Sequence, residues 1–325
     1  MTLAIAERVD SRREKVVRHF ALTDTIFHWA CRLAAIIVLV ILGGVFVSLV
    51  TGSWTALTTF GPAFLTTERW SPVAETFGAL APIYGTLVTA AIAIVIAVPV
   101  GIGIAVFLTE LCPRPLRRPI AIAVELLAGI PSIIYGIWGL FVFAPFLQAT
   151  VQPFLINLFA DVPVLSDIFA GPPYGIGVLT SSLILAIMIL PFIASITRDV
   201  FDTVPGVLKE SAYGIGCTTW EVIRRIVIPH TRVGIMGGVM LALGRALGET
   251  MAVTFVIGNS HRLSASIIAP GTTISATIAN EFTEADGDLY VSSLMSLGLI
   301  LFFITFLILA AARYMLLRMG RQAGA

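Results

Sequence analysis

Arg245 and Glu249 stand four residues apart in a stretch that is otherwise apolar from Ile235 to Ile257. A guanidinium is planar, permanently charged and forked, so it can hold an oxyanion through two parallel hydrogen bonds. A carboxylate four residues further along a helix shares its face; it would balance the charge of an empty site and weaken the hold on a bound anion enough for release. A charge at the centre of a bilayer costs at least about 2.5 to 3.5 kcal/mol on insertion scales, so the pair needs a partner or a task. Two readings stay open, a lining for an anion path and a static ion pair that fixes helix packing. Counted at about 1.5 Å per residue, Arg245 lies ~18 Å and Glu249 ~24 Å from the inner end of their helix near Val233, while Glu125 lies only ~8 Å from the inner end of its own. Glu125 is therefore a poor partner for Arg245 and is assigned to an inner gate or to the interface. No catalytic constellation competes with this pair: His19, His28, His230 and His261 lie at or beyond the ends of the apolar stretches. Cys31, Cys112 and Cys217 lack metal-ligand or redox spacing, so neither a metal site nor a disulfide framework is expected.

The elements that must position these residues are set by composition. The chain has 325 residues, 58% of them hydrophobic and 12% charged, where a soluble domain carries about 25% charged residues; its mean hydropathy is +0.98. It reads as an all-α integral membrane protein with lipid as its surroundings, and a net charge of +1 gives no reason to expect nucleic acid. Six stretches reach the length of about 20 residues that a bilayer demands, roughly 27–50, 83–109, 120–147, 175–197, 233–257 and 289–316. Residues 1–25 read as a basic cytoplasmic arm and 26–325 as the membrane domain, with the first apolar stretch kept as an anchor. The segment 151–170, with Pro153, Asp161, Pro163 and Asp167, is placed outside the bilayer or along its surface, and Trp54 and Trp70 in the 51–82 loop as interfacial anchors.

The placement of Lys and Arg tests this topology. The arm with Arg32 carries six, the 111–118 loop three, the 198–232 loop five and the tail three, together seventeen of the twenty. Arg69 and Arg262 alone fall on the other side, and Arg245 falls within a span. The excess of positive charge places both termini in the cytoplasm. Pro99, Gly101, Gly103, Gly129, Pro131 and Pro145 interrupt the spans, which is tolerated only where neighbours or a water-lined cavity satisfy the backbone; close packing of small residues explains any single glycine equally well.

The long cytoplasmic loop, 199–232, contains PGVLKESAYGIGCTTWEVIRRIVIP from Pro205 to Pro229. Pro205 suits a helix start, Gly216 a helix end with positive φ, and Thr218 with Glu221 a capping box that opens a second helix. The stretch resembles the EAA loop of ABC importer permeases: Glu210, Ser211 and Ala212, then Gly216, and nine residues later Ile226, Ile228 and Pro229. Ser211 and Ile228 depart from the commonest residues at their positions. The resemblance implies a type I ABC importer permease fold and a separate ATPase homodimer, with ATP and Mg²⁺ bound on that partner, docking on Glu210 to Pro229. The chain itself has no phosphate loop, since its only lysines, Lys15 and Lys209, lack a glycine-rich setting. It is therefore expected to be a transport subunit, not an enzyme, with no cofactor of its own.

Glu125 to Pro145, Gly244 to Asn259, Ile267 to Phe282 and Phe77 to Leu87 are similar to the phosphate-specific permeases of the PstC type. That resemblance implies a multi-pass subunit of a bacterial inner membrane, importing inorganic phosphate together with a second permease of the PstA type and an external phosphate-binding protein. Arg245 and Glu249, with Glu125 as a further candidate, are expected to line the phosphate path. The segment Pro270 to Phe282 is expected to be an external turn or short helix touching the binding protein, with Thr272 or Thr273 as its cap. The alternatives are an ABC permease for sulfate or molybdate, a secondary anion transporter, which has no need of the EAA loop, and a membrane enzyme using Glu125 or Glu249.

Overall fold

The computed structural model describes the backbone of residues 2–323 and the side chains of residues 24–318. Arg8, Arg12, Arg13, Lys15 and Arg18 of the arm and Arg321 of the tail lie outside the described side chains. Among the described residues six helices are long and apolar enough to cross a membrane: Asp24–Gly52, Leu80–Leu111, Ser132–Phe159, Val178–Asp202, Thr219–Leu247 and Asp288–Arg318. No strand occurs among the described residues. Residues up to Gly52 form one unit and Ser53–Ala325 a second.

Within the second unit the fourth span is the most deeply buried, and the second span is built to lie against it. Ala90, Ala93, Ala97, Gly101 and Ala105 recur every three or four residues and are all buried. A Cβ added at Gly101 would meet Ile193 of the fourth span at 2.8 Å. Without a hydrophobic driving force between helices in lipid, such small residues admit the close backbone approach that dispersion needs. Ile184, Leu185, Ile189 and Ile193 fill the other side of the contact at 0% exposure.

Three boundaries differ from the sequence reading. The stretch 120–147 is divided: Arg114–Ala128 is a helix of its own, and the third span begins at Ser132. Pro131 lacks an N–H and biases Ile130 away from helical backbone, so the chain breaks at 129–131. The third span then runs on to Phe159, taking in residues 151–159 that were expected outside it. Pro153 is accommodated in the first turn of Gln152–Phe159, after a wide turn at Leu147–Val151. Buried Gln152 accepts a hydrogen bond from the Gly175 N–H at 2.9 Å, tying the end of this span to the start of the next.

The third difference concerns the fifth span, which starts at Thr219 and ends at Leu247 rather than spanning 233–257. Gly248 ends the helix, Glu249 and Thr250 are irregular, and a short helix resumes at Met251–Val256. Beyond it the backbone is irregular to Thr273 yet largely buried from Ser266 onward. This loop satisfies the exposed donors at the start of the fourth span: Gly177, Val178 and Leu179 donate to the carbonyls of Val256, Ala269 and Ile267 at 2.9, 3.2 and 2.7 Å. Helix N-termini leave such N–H groups unpaired, and irregular backbone at this depth is possible because protein surrounds it. Gly85 permits the approach, since a Cβ there would lie 1.8 Å from the Thr272 carbonyl oxygen.

Candidate functional site

The break at 248–250 lies within the depth of the spans. Val256 accepts from the Gly177 N–H, which places Val256 level with the start of the fourth span, and the break is several residues back along the fifth. The short helix Met251–Val256 packs on Ser132–Trp138, the half-helix that follows the other interruption at 129–131. Gly136 allows this contact, because a Cβ there would meet Phe255, the Met251 carbonyl and the Ala252 Cα at 2.8 to 3.2 Å. Tyr135 closes the second break by donating its hydroxyl proton to the Leu127 carbonyl at 2.9 Å. Two broken helices thus meet through their half-helices, with Tyr135, Ala246, Leu247, Ala252 and Val256 in one apolar cluster.

Arg245 occupies the last turn of Ile228–Leu247 and is exposed. Glu249 lies in the break, partly buried, with Oε1 accepting from the Ala252 N–H at 3.3 Å. Among the described residues no ion pair joins the two. The helical spacing that would place them on one face is lost because the helix ends between them. Each charge instead sits at the helix end whose dipole favours it, Arg245 in the last turn of one helix and Glu249 just before the first turn of the next. The static Arg245 to Glu249 pair is absent from this conformation. Leu241, one turn before Arg245, is also exposed, at 60%, so this face of the fifth span has no cover from its own unit.

Glu125 goes elsewhere. Its Oε1 lies 2.7 Å from Nη1 of Arg198 on the fourth span, and Arg198 also holds Asp199 at 2.7 Å. Arg117 on the same helix as Glu125 pairs with Asp202 at 2.8 Å. The helix Arg114–Ala128 is thereby tied to the end of the fourth span that the charge distribution assigns to the cytoplasm.

The 199–232 loop forms as its turn chemistry dictates. Pro205 precedes the helix Gly206–Gly214, Gly216 follows it at φ +92, and Thr218 and Glu221 form the capping box, with the Thr218 N–H 3.0 Å from Glu221 Oε2. The motif residues divide by burial. Ala212 is buried, and Ile226 and Ile228 pack beside it against Phe201, Val222 and Val227; Glu210, Ser211, Gly216 and Pro229 are exposed. Ile215 at the tip is 83% exposed and Val207 70% exposed. Trp220, in the helix that the capping box opens, is 63% exposed. Sequence alone did not single out Ile215 or the bond of 2.6 Å from Lys209 Nζ to Glu110 Oε1, which ties this loop to the end of the second span.

At the opposite end Pro270 to Phe282 does form a short helix, Ile274–Glu281, capped by the Thr273 hydroxyl accepting from the Ala276 N–H at 3.2 Å. Its first turn is not an external face: Ile274 to Thr277 are buried. Glu281 is engaged by three side chains, His261 at 2.9 Å, Tyr290 at 2.8 Å and the indole N–H of Trp70. Burial would raise the Glu281 carboxyl, but the hydrogen bonds from His261, Tyr290 and Trp70, with the charge of His261, outweigh it and hold the group below its ordinary value. Trp70, expected as an interfacial anchor, is stacked on His261 at 5.4 Å between ring centres.

Comparison with known proteins agrees with this architecture. The family described as "Binding-protein-dependent transport system inner membrane component" matches residues 97–321. The chain is 76% identical over 317 residues to the phosphate transport system permease protein PstC of Mesorhizobium japonicum, covering 98% of this chain and 97% of that one. It is 55% identical to the PstC of Pasteurella multocida, with 93% and 94% covered, and 40% identical to a probable PstC of Methanocaldococcus jannaschii, with 77% and 79% covered. In fold it is similar to a chain in the crystal structure of a bacterial alginate ABC transporter, at a TM-score of 0.58 and 19% identity, covering 88% of this chain and 92% of that one. Six apolar helices and this family make it a multi-pass inner membrane protein. Motif, broken helices and identity over almost the whole length converge: this chain belongs to the PstC family of ABC importer permeases.

Proposed function

We propose that the chain is the permease subunit of an ATP-driven importer of inorganic phosphate, and that it forms the translocation path with a second permease of the PstA type. The observation that carries this reading is Arg245, an exposed guanidinium without an ion-pair partner among the described residues, beside a helix break inside the span depth. On a lipid-facing surface such a charge would cost at least about 2.5 to 3.5 kcal/mol, so this face belongs against protein and water. A second permease supplies the cover, and the anion supplies the counter-charge while it passes. Arg245 holds the phosphate oxygens through its fork, and Glu249, anchored to the Ala252 N–H, limits the hold so that the anion leaves.

Energy comes from a separate ATPase homodimer binding ATP and Mg²⁺, docked on the exposed residues of the 199–232 loop. An external phosphate-binding protein delivers the substrate. Both termini are cytoplasmic in this arrangement. Uptake of labelled phosphate, sulfate and molybdate into cells lacking the native importer, with and without this chain and its neighbours, tests the reading. Phosphate uptake restored without the other two supports it; sulfate or molybdate restored in place of phosphate overturns it.

A further inference from the structure

The segments that join the outer ends of the spans, residues 53–79, 160–177 and 257–287, carry seven carboxylates and only two basic side chains, Arg69 and Arg262. An anion approaching such a surface is repelled almost everywhere. The fold nevertheless brings the two guanidiniums, 193 positions apart in sequence, to the wall of one open depression of about 460 Å³, lined by Glu68, Arg69, Trp70, Ser260, His261 and Arg262. That volume is within the range of small-ligand sites.

Three contacts hold the two segments of this wall together. Glu68 Oε1 accepts from the Leu263 N–H at 2.6 Å, so its carboxylate is engaged with backbone. Trp70 stacks on His261 with an interplanar angle of 10°. Both rings are fastened to the same carboxylate, Glu281. Arg69 and Arg262 themselves are exposed, and neither makes an ion pair among the described residues. Arg262 also borders a second, nearly closed crevice of about 10 Å³ that runs between Tyr84 and Gly85 of the second span and Val178 of the fourth. It therefore stands at the junction between the open depression and the packed ends of the spans.

We infer that this depression is an outer anion-receiving site, in which Arg69 and Arg262 together hold a tetrahedral oxyanion, inorganic phosphate, before it passes inward. Two guanidiniums offer several N–H donors to the oxygens of one anion, and charge-assisted bonds of this kind are the strong ones. The neighbouring carboxylates, with Glu68 and Glu281 already engaged, keep the hold shallow enough for onward transfer. The inference rests on the proposed function for the identity of the anion.

The test uses the whole importer complex in lipid nanodiscs, without the binding protein. An arginine-specific dicarbonyl reagent is applied in inorganic phosphate or in chloride of equal ionic strength, and modification of Arg69 and Arg262 is read by mass spectrometry. Phosphate, and not chloride, should slow modification of both; equal rates overturn the site. In proteoliposomes the double variant Arg69→Gln, Arg262→Gln should take up phosphate about tenfold more slowly, the loss of one or more charged hydrogen bonds. The concentration of phosphate-loaded binding protein that half-stimulates ATP hydrolysis should stay unchanged. A rise in that concentration without phosphate protection would make the two arginines a docking contact and overturn the inference. Failure of the unaltered complex to transport phosphate would count against the proposed function instead, while the protection experiment, which needs no transport, decides the site separately.

Discussion

Arg245 ends up in the last turn of one helix, and Glu249 beside the first turn of the next, accepting from the Ala252 N–H. This disposition matches each charge to the helix end whose dipole favours it without joining them, so the proposed phosphate contact has no ion pair to break. Replacement Arg245→Gln should abolish phosphate uptake while the membrane level of the complex stays normal, with Arg245→Lys partly active because a point charge replaces the fork, and Glu249→Gln impaired. If Arg245→Gln lowers the amount of folded complex and the survivors transport at the unaltered rate, Arg245 has only a packing role. Glu281 gives a second prediction. Its carboxyl is held below its ordinary value by His261, Tyr290 and Trp70 against the effect of burial. A group with a depressed folded value contributes stability above its unfolded value, near 4.5, and loses it as pH falls through the folded one. Thermal unfolding of the purified complex should therefore move to lower temperature on acidification below about pH 4.5, and Glu281→Gln should be less stable near neutrality with a flatter acid limb. An equally steep acid limb in the variant would show that other groups carry the dependence.

At the scale of elements, the motif residues of the 199–232 loop divide into a buried set and an exposed set. Ala212, Ile226 and Ile228 face inward, while Glu210, Gly216 and the apolar tip at Ile215 face out. Gly216 at φ +92 adopts backbone that costs an L-residue about 1 to 2 kcal/mol. Gly216→Val should therefore reshape the tip, and Glu210→Lys should reverse its charge. In both variants the permease should still insert, but co-purification of the ATPase should fall or hydrolysis should run without uptake. Normal transport in both would remove the loop from the ATPase contact. The bond from Lys209 to Glu110 ties this element to the second span, a connection no local pattern announces.

At the scale of the whole molecule, the charge distribution makes a topological prediction for two cysteines. Cys112 and Cys217 lie in the loops that carry the excess of Arg and Lys, and both are partly accessible. A membrane-impermeant thiol reagent should label them only after the cells are opened, because positive loops stay inside. Labelling of either from outside would overturn the orientation.

Composition and pattern alone determined the six-helix membrane class, the helix–turn–helix of the 199–232 loop with its Gly216 turn and Thr218 cap, a threonine cap at Thr272 or Thr273, and the two charged residues of the fifth apolar stretch. These follow from hydrophobic length and short-range turn chemistry, which act within a few residues. The break after Leu247 was not legible, since Gly248 in an apolar run reads equally well as a packing glycine; only burial of the irregular 266–273 backbone against the second and fourth spans makes the interruption affordable. Pairing of Glu125 with Arg198, the clasp on Glu281 and the placing of Arg69 and Arg262 on one depression were likewise decided by tertiary structure. Each joins residues far apart in the chain, and which distant groups meet depends on the packing of whole helices rather than on the residues around each group.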